Sequence, residues 1–201
     1  MSIDLSQYIK PGDLVFCNQL GGAPQGLVKA LIAQAKDLGG VRFLNSFPLD
    51  PGADRLTSEG VRYLAMDGFG VNAKLFQAGK LDIVPAHFSD YGRLFHDGLL
   101  VPDVVFCTVT PADEVGRRSV GLSLDHLRDA MECARVVLAE ENPDMPWTHG
   151  DSEISGDMLT AVFPATQPPD LWQARAPGPV DHAIAEQVAR LLPDRATFQY
   201  G

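Results

Sequence analysis

Short, almost wholly apolar runs alternate along this chain with segments of helical periodicity, and that alternation constrains the fold more than any other feature. "DLVFCN" (13–18), "VRFLNSF" (41–47), "VRYLAM" (61–66) and "LDIVPAHF" (81–88) read as strands. So do "PDVVFCTVT" (102–110), "SVGLSLD" (119–125), "RVVLAEEN" (135–142) and "DMLTAVF" (157–163). Between them, "LVKALIAQAKDL" (27–38), "VNAKLFQAG" (71–79), "SDYGRLFHDG" (89–98, with Ser89 as N-cap), "HLRDAMECA" (126–134) and "VDHAIAEQVARLL" (180–192) have the spacing of helices. Strand, helix, strand, repeated, predicts an α/β layer fold: a mostly parallel sheet flanked by helices. The Pro-, Gly- and Asp-rich segment 48–60 and the proline-rich segment 166–179 are expected to be covering loops. After the turn at Pro193-Asp194, "ATFQY" (196–200) alternates like one more strand and leads into a glycine.

Ligands on such sheets bind beyond the C-terminal ends of the strands. That rule singles out the loops 18–26, 67–72, 110–118 and 143–152. "NQLGGAPQG" (18–26) joins a strand to a helix, where Gly21 and Gly22 let backbone approach an anion and Pro24 suits a helix start. It is neither GxGxxG nor a P-loop, and taken alone a tight turn without a ligand is the favoured reading. In "TPADEVGRRSVGLS" (110–123), Asp113 and Glu114 beside Arg117 and Arg118 read as an ion-paired surface turn, or as a polar loop that presents Ser119 to a substrate. "NPDMPWTHGDS" (142–152) is a rigid loop on a strand end, with His149 either tying the loop together or meeting a ligand.

Composition narrows the function classes. A formal net charge of -10 argues against non-specific nucleic-acid binding, yet leaves room for a small anionic ligand held by local cations and N–H groups. No apolar run is long enough to span a membrane, and the start lacks the basic-then-apolar pattern of a signal peptide, so a cytoplasmic protein is expected. Cys17, Cys107 and Cys133 are odd in number, outside any CxxC spacing, and expected to be reduced. Cys17 before a glycine turn and helix start is a buried structural thiol or one with lowered pKa. His87, His96, His126, His149 and His182 show no HxH or HxxxH pairing, so no metal site is expected. No GxSxG elbow is present.

The linked motifs "IKPGDLVF", "GGAPQGLVKAL", "GVNAKLFQAGKLDIVPAHFSDYGRLFHDG", "PDVVFCTVTPADEVGRRSVGLSLD" and "VVLAEENPDMPWTHGDS" occur in this order along the chain. Together they resemble the acetyl-CoA hydrolase/transferase family, which includes 4-hydroxybutyrate, succinate, butyrate and propionate CoA-transferases. The resemblance runs from about Ile9 to Gly201. It implies a CoA-transferase-like single half. Residues 1–194 would form the N-terminal domain, and "ATFQYG" within 195–201 would be the first strand of a second half that carries the catalytic glutamate. None of Glu59, Glu114, Glu132, Glu140, Glu141, Glu153 and Glu186 matches that nucleophile.

The implied chemistry is ping-pong: the glutamate attacks an acyl-CoA thioester, an anhydride and then an enzyme–CoA thioester form, and an acceptor carboxylate takes the CoA. Water as acceptor would make it a hydrolase. No bound cofactor is implied; coenzyme A and acyl-CoA are substrates, and the implied partners are the second half, a carboxylate substrate and a possible oligomer. The resemblance places Gly21, Gly22 and Pro24 as an anion-facing turn with Gly70 and Asn72 beside it. Asp113, Ser119 and Gly121 would shape the central loop, and His149, Gly150 and Asp151 the last one. The chain departs from the family pattern at Met66, Lys74, Val115 and Trp147, where serine, arginine, histidine and arginine are frequent. Those changes fit a bulkier or less anionic acyl group, or a non-catalytic module that pairs with a catalytic partner.

Overall fold

Every residue of the run Val104–Val109 is buried, which requires cover on both faces of the strand it forms. The computed structural model describes residues 3–48, 58–171 and 174–199. Along the chain it has β1 (Leu14–Cys17), α1 (Gln25–Gln34), β2 (Val41–Leu44), β3 (Val61–Ala65), α2 (Ala73–Gln77), β4 (Leu81–Ile83) and α3 (Tyr91–His96). There follow β5 (Val104–Val109), β6 (Arg117–Ser119), α4 (Leu127–Cys133), β7 (Val136–Glu141), β8 (Glu153–Ser155), β9 (Ala161–Pro164) and α5 (Pro179–Leu191).

Seven strands form one sheet in the order β4-β3-β2-β1-β5-β7-β9, and every pairing in it is parallel. The chain winds outward from β1 through β2 and β3 to β4, then returns to the other side of β1 for β5, β7 and β9. Crossovers of one hand that travel in opposite directions put their helices on opposite faces. Accordingly, Leu27, Val28 and Leu31 of α1 and Leu75 of α2 pack with Val15, Phe43, Tyr63, Phe106 and Leu138 on one face. Tyr91 and Phe95 of α3 and Leu127, Ala130 and Met131 of α4 pack with Leu14, Phe16, Val105, Cys107 and Val137 on the other. Period-2 alternation along β5 divides the strand between the two cores.

The expected mostly parallel α/β sheet is thus present, with local corrections. The segment 119–125 is a strand only to Ser119, and it belongs to a separate antiparallel ribbon in which β6 pairs with β8. Gly121 and Asp125 then take φ of 68° and 39°, which ends extended structure. The run 81–88 is a strand only through Ile83, and Ser89 lies inside a 3-10 turn, Phe88–Asp90, rather than capping α3. The late strand is Ala161–Pro164. Most of the loop 48–60 falls outside the described residues, as do Tyr200 and Gly201; Ala196–Gln199 have no regular secondary structure. Among the described residues no helix is long and apolar enough to cross a membrane.

Candidate functional site

The winding reverses between β1 and β5, so the loops at the C-terminal ends of these strands diverge around the crevice where such sheets take ligands. Asn18, the first residue past β1, is fully buried. Its Nδ2 donates to Ser123 O at 2.9 Å and its Oδ1 accepts Gln19 N at 2.8 Å. Gln19 Oε1 accepts Phe47 N at 3.0 Å, and its Nε2 reaches Asp125 Oδ2 at 3.3 Å. Asn45 Nδ2 donates to Asn18 O at 3.2 Å. Asn72 Nδ2 donates to Ser46 O at 3.0 Å, which ties in the loop after β3. Buried amides thus knit the ends of β1, β2 and β3 to the loop after β6.

Protein, not open space, surrounds the glycine turn. A Cβ on Gly22 would lie 2.4 Å from Asn18 Nδ2, and one on Gly21 would lie 2.9 Å from Leu122 Cδ1 and 3.0 Å from Asp170 O. Pro24 is the N-cap residue of α1. The helix end beyond it already takes a carboxyl group of the chain's own. Glu140, buried at the end of β7, accepts Leu27 N at 2.5 Å and a further bond from Gly26 N. A Cβ on Gly26 would sit 2.5 Å from that carboxylate oxygen, so a larger residue there would push the carboxylate aside. Burial pushes the Glu140 carboxyl up, against the opposing pull of the two N–H groups and Lys29.

A second lattice joins the central and last loops. Ser119 Oγ accepts Gly121 N at 3.1 Å and Thr148 N at 3.0 Å, and donates to Thr148 O at 3.0 Å. Thr148 Oγ1 donates to Gly121 O at 3.0 Å. Gly121 packs so tightly on Met145 that a Cβ would lie 2.3 Å from its sulfur. On the outer side of the ribbon, Asp113 pairs with Arg117 at 2.8 Å, and Arg117 reaches Glu153 at 3.3 Å. Glu153 also takes His149 Nδ1 at 2.8 Å and Trp147 Nε1 at 3.1 Å. The His149 and Trp147 bonds hold the Glu153 carboxyl below its usual range. At Asp113 burial pushes upward, yet the Arg117 and Val115 N–H groups with the Arg117 charge leave it low.

Sequence-selected residues therefore fall into three groups. Ser119 and Gly121 meet the His149–Asp151 loop through Thr148, and Asp113 meets His149 through Arg117 and Glu153. Gly22 sits against Asn18 and Ser123, Gly21 against Leu122 and Asp170, and Pro24 follows at the start of α1. Gly70 and Asn72 attach through Ser46; Gly70, like Gly150, has positive φ and open space where a Cβ would lie. Asp151 is exposed, and its carbonyl accepts Arg128 at 3.1 Å. The residues sequence reasoning missed are Asn18, Gln19, Asn45 and Glu140. Each had a signal: a polar side chain directly after an apolar strand run, or, for Glu140, a carboxylate in step with core-facing Val136 and Leu138.

The edge is also apolar. Leu20, Phe69, Val71, Phe88, Val115 and Leu122 project from loops at the C-terminal ends of successive strands, with Phe69 73% and Val115 74% exposed. Backbone at Gly70 and Gly150 is open, and exposed apolar side chains stand on the same set of loops.

A parallel sheet with this strand order, carrying these edge loops, defines a CoA-transferase-type α/β domain. The family model for the acetyl-CoA hydrolase/transferase N-terminal domain matches residues 3–185, and the chain belongs to that family. The 4-hydroxybutyrate coenzyme A transferase of Clostridium kluyveri is 32% identical over 192 residues, which cover 94% of this chain and 44% of the relative. The chain spans less than half the length of that relative. RipA from Yersinia pestis shares the fold with a TM-score of 0.83 at 22% identity, over 94% of this chain and 47% of that one. The decarboxylase AibA/AibB has a chain with a TM-score of 0.53 at 16% identity, but there the match covers 92% of this chain and 90% of the other. The fold thus occurs both as part of a longer chain and as a chain of similar length.

Proposed function

We propose that this domain is the N-terminal half of a CoA-transferase or acyl-CoA hydrolase, and that a second half supplies the glutamate which carries CoA between carboxylic acids. The observation that carries this reading is the apolar, open edge at the switch point of a family domain that spans under half of its relatives' length. Large apolar patches rarely stay bare. The C-terminal helix supports the same reading: none of its residues is buried, and Val180, Ile184, Val188 and Leu191 face outward. The second half, as a continuation of the chain or as a separate polypeptide in the manner of the two-component name AibA/AibB, would close the cleft over acyl-CoA.

In that cleft the second half's carboxylate attacks the thioester carbon, and CoA thiolate leaves. The thiolate attacks the glutamyl carbonyl of the resulting anhydride, which expels the donor carboxylate and leaves a glutamyl–CoA thioester. The acceptor carboxylate displaces CoA thiolate from that thioester, and the thiolate then attacks the acceptor's acyl carbonyl in the new anhydride, giving acyl-CoA and freeing the glutamate. Each step passes through an oxyanion that fixed N–H donors stabilise. The present chain contributes the wall: the exposed backbone at Gly70 and Gly150, the His149–Glu153 pair and the apolar rim. Trp147, at a position where an arginine is frequent in the family, donates its uncharged indole N–H to Glu153, so this chain brings a hydrogen bond but no cation there.

The test is acyl exchange between acetyl-CoA and a carboxylic acid, with hydroxylamine to trap the glutamyl–CoA species. The chain alone should not turn over; with the complementary half, exchange and a CoA adduct on that half should appear. Exchange by the purified chain unaided overturns the assignment. Binding of CoA without exchange in the reconstituted pair favours a non-catalytic module instead.

A further inference from the structure

Toward the N-terminal end of the sheet, helices α3 and α4 bring together a thiol, an imidazole and a carboxylate. Cys133 Sγ lies 3.5 Å from His96 Nδ1, and His96 Nε2 lies 3.0 Å from Asp129 Oδ1. A carboxylate only accepts, so Nε2 carries the ring hydrogen and Nδ1 turns its lone pair toward the thiol. The carboxylate is seated in a notch: a Cβ on Gly92, one turn before His96 on α3, would lie 2.6 Å from Asp129 Oδ2. His126 Nδ1 approaches the same oxygen at 4.0 Å, and Glu132 is paired with Arg128 at 3.5 Å. A nucleophile in reach of a base, and a base oriented by a third group, is the arrangement that activates weak nucleophiles.

The other two thiols are excluded from such chemistry, since Cys17 and Cys107 are buried in the two cores. Cys133 is only partly covered. Its thiol is pushed up by burial and by the Asp129 and Glu132 charges, so standing thiolate is scarce. Reaction at Cys133 therefore depends on proton removal during attack, which is what His96 is placed to do.

We propose that Cys133, with His96 as base and Asp129 as the group that orients it, is a self-modification site that accepts an acyl group from an acyl thioester. Cys133 Sγ bonds to the acyl carbon as its proton passes to His96 Nδ1; the carbon–sulfur bond to the donor breaks, and the leaving thiolate takes the proton from the imidazolium. One thioester is exchanged for another, and no oxidant or reductant is needed. The choice of an acyl-CoA donor rests on the proposed function; the base-assisted thiol does not.

The experiment uses the purified chain without a second half, so its outcome is independent of whether CoA exchange can be reconstituted. Acetyl-CoA and, separately, limiting iodoacetamide are added to the native chain and to Cys133→Ser, His96→Asn and Asp129→Asn, with modified peptides located by mass spectrometry. The expected result is one hydroxylamine-labile acetyl group on Cys133, absent from Cys133→Ser, and first alkylation at the same residue. His96→Asn should slow both by about a hundredfold, the low end of general-base assistance. His96 is half exposed, so this variant should leave the fold intact. Asp129→Asn should slow both reactions less than His96→Asn does, because it loosens the imidazole without removing the base, and Asp129→Glu should restore part of the rate. Alkylation of Cys133 that is indifferent to His96→Asn, or acetylation found on lysines alone or nowhere, overturns the proposal.

Discussion

Two helices of this chain, α1 and α5, both carry apolar residues at helical spacing, but the structure uses them in opposite ways. α1 buries Leu27, Val28 and Leu31 against the sheet, and Glu140, 113 residues further along the chain, accepts from its first turn. α5 buries none of its residues, and its start is held by Asp181, which accepts Gly178 N from three residues away at 2.6 Å. Amphipathic sequence is therefore only an offer of a surface; what decides the helix's role is whether the chain also supplies the surface that covers it. Most helical stability in proteins comes from such packing, and short helices without it are marginal in water. The body of the domain meets its own demand, and α5 presents a demand that a second half would meet.

The largest expected effect tests that contrast directly. Leu31→Ala removes a side chain that is 1% exposed and should cost about 3 kcal/mol in urea unfolding of the isolated chain. Ile184→Ala on α5 should change the same quantity by less than about 0.5 kcal/mol. Comparable losses at the two positions would break the comparison, because they would show that α5 is packed in solution.

The capping groups give a smaller and sharper test. Glu140→Ala strands the Gly26 and Leu27 N–H groups in a buried place and should cost about 2 kcal/mol, whereas Glu140→Gln keeps an acceptor oxygen and should cost less. Asp181→Ala should fray α5, visible as lost helical circular dichroism, with the urea midpoint of the body unmoved. A midpoint shift with Asp181→Ala would tie α5 to the cooperative unit.

How far these roles were legible in the sequence differs between the two helices as well. The strand–helix alternation and the apolar runs carried the parallel sheet, because strands buried on both faces leave a composition that nothing else explains. Period 3.6 in "VDHAIAEQVARLL" located α5 equally well but could not say that, among the described residues, none of its side chains would be buried, since burial depends on partners and not on pattern. The ribbon was misread as a strand to 125 because Val120 and Leu122 continue the alternation; the turn is imposed by Gly121 against Met145, a contact 24 residues apart. The four loops singled out by the strand-end rule do follow β1, β3, β5 and β7. The Glu140 contact with α1 was not legible, because it joins residues far apart in sequence. Cys133 and His96 were hidden for the same reason: they sit on different helices, outside any local spacing.

The smallest effect concerns pH, and it isolates Glu140 from every other carboxyl. Burial raises its folded pKa above the unfolded value of about 4.3, so between those two values the folded state binds more protons than the unfolded state. Glu140's contribution to stability is therefore present at low pH and declines as pH climbs through the raised pKa. Asp113, Glu153 and Asp82, whose carboxyls are held low, contribute in the opposite sense, and their stabilisation is lost on acidification. The raw pH profile mixes both signs, whereas the difference between the native chain and Glu140→Gln removes the common part. That difference, measured as urea midpoints from about pH 4 upward, should move in favour of the glutamine variant as pH rises and then level off once Glu140 is fully ionised. A difference moving the other way would mean that the N–H groups of α1 outweigh burial, and that the helix start holds a carboxylate anion strongly enough to make ionised Glu140 a stabilising cap rather than a cost.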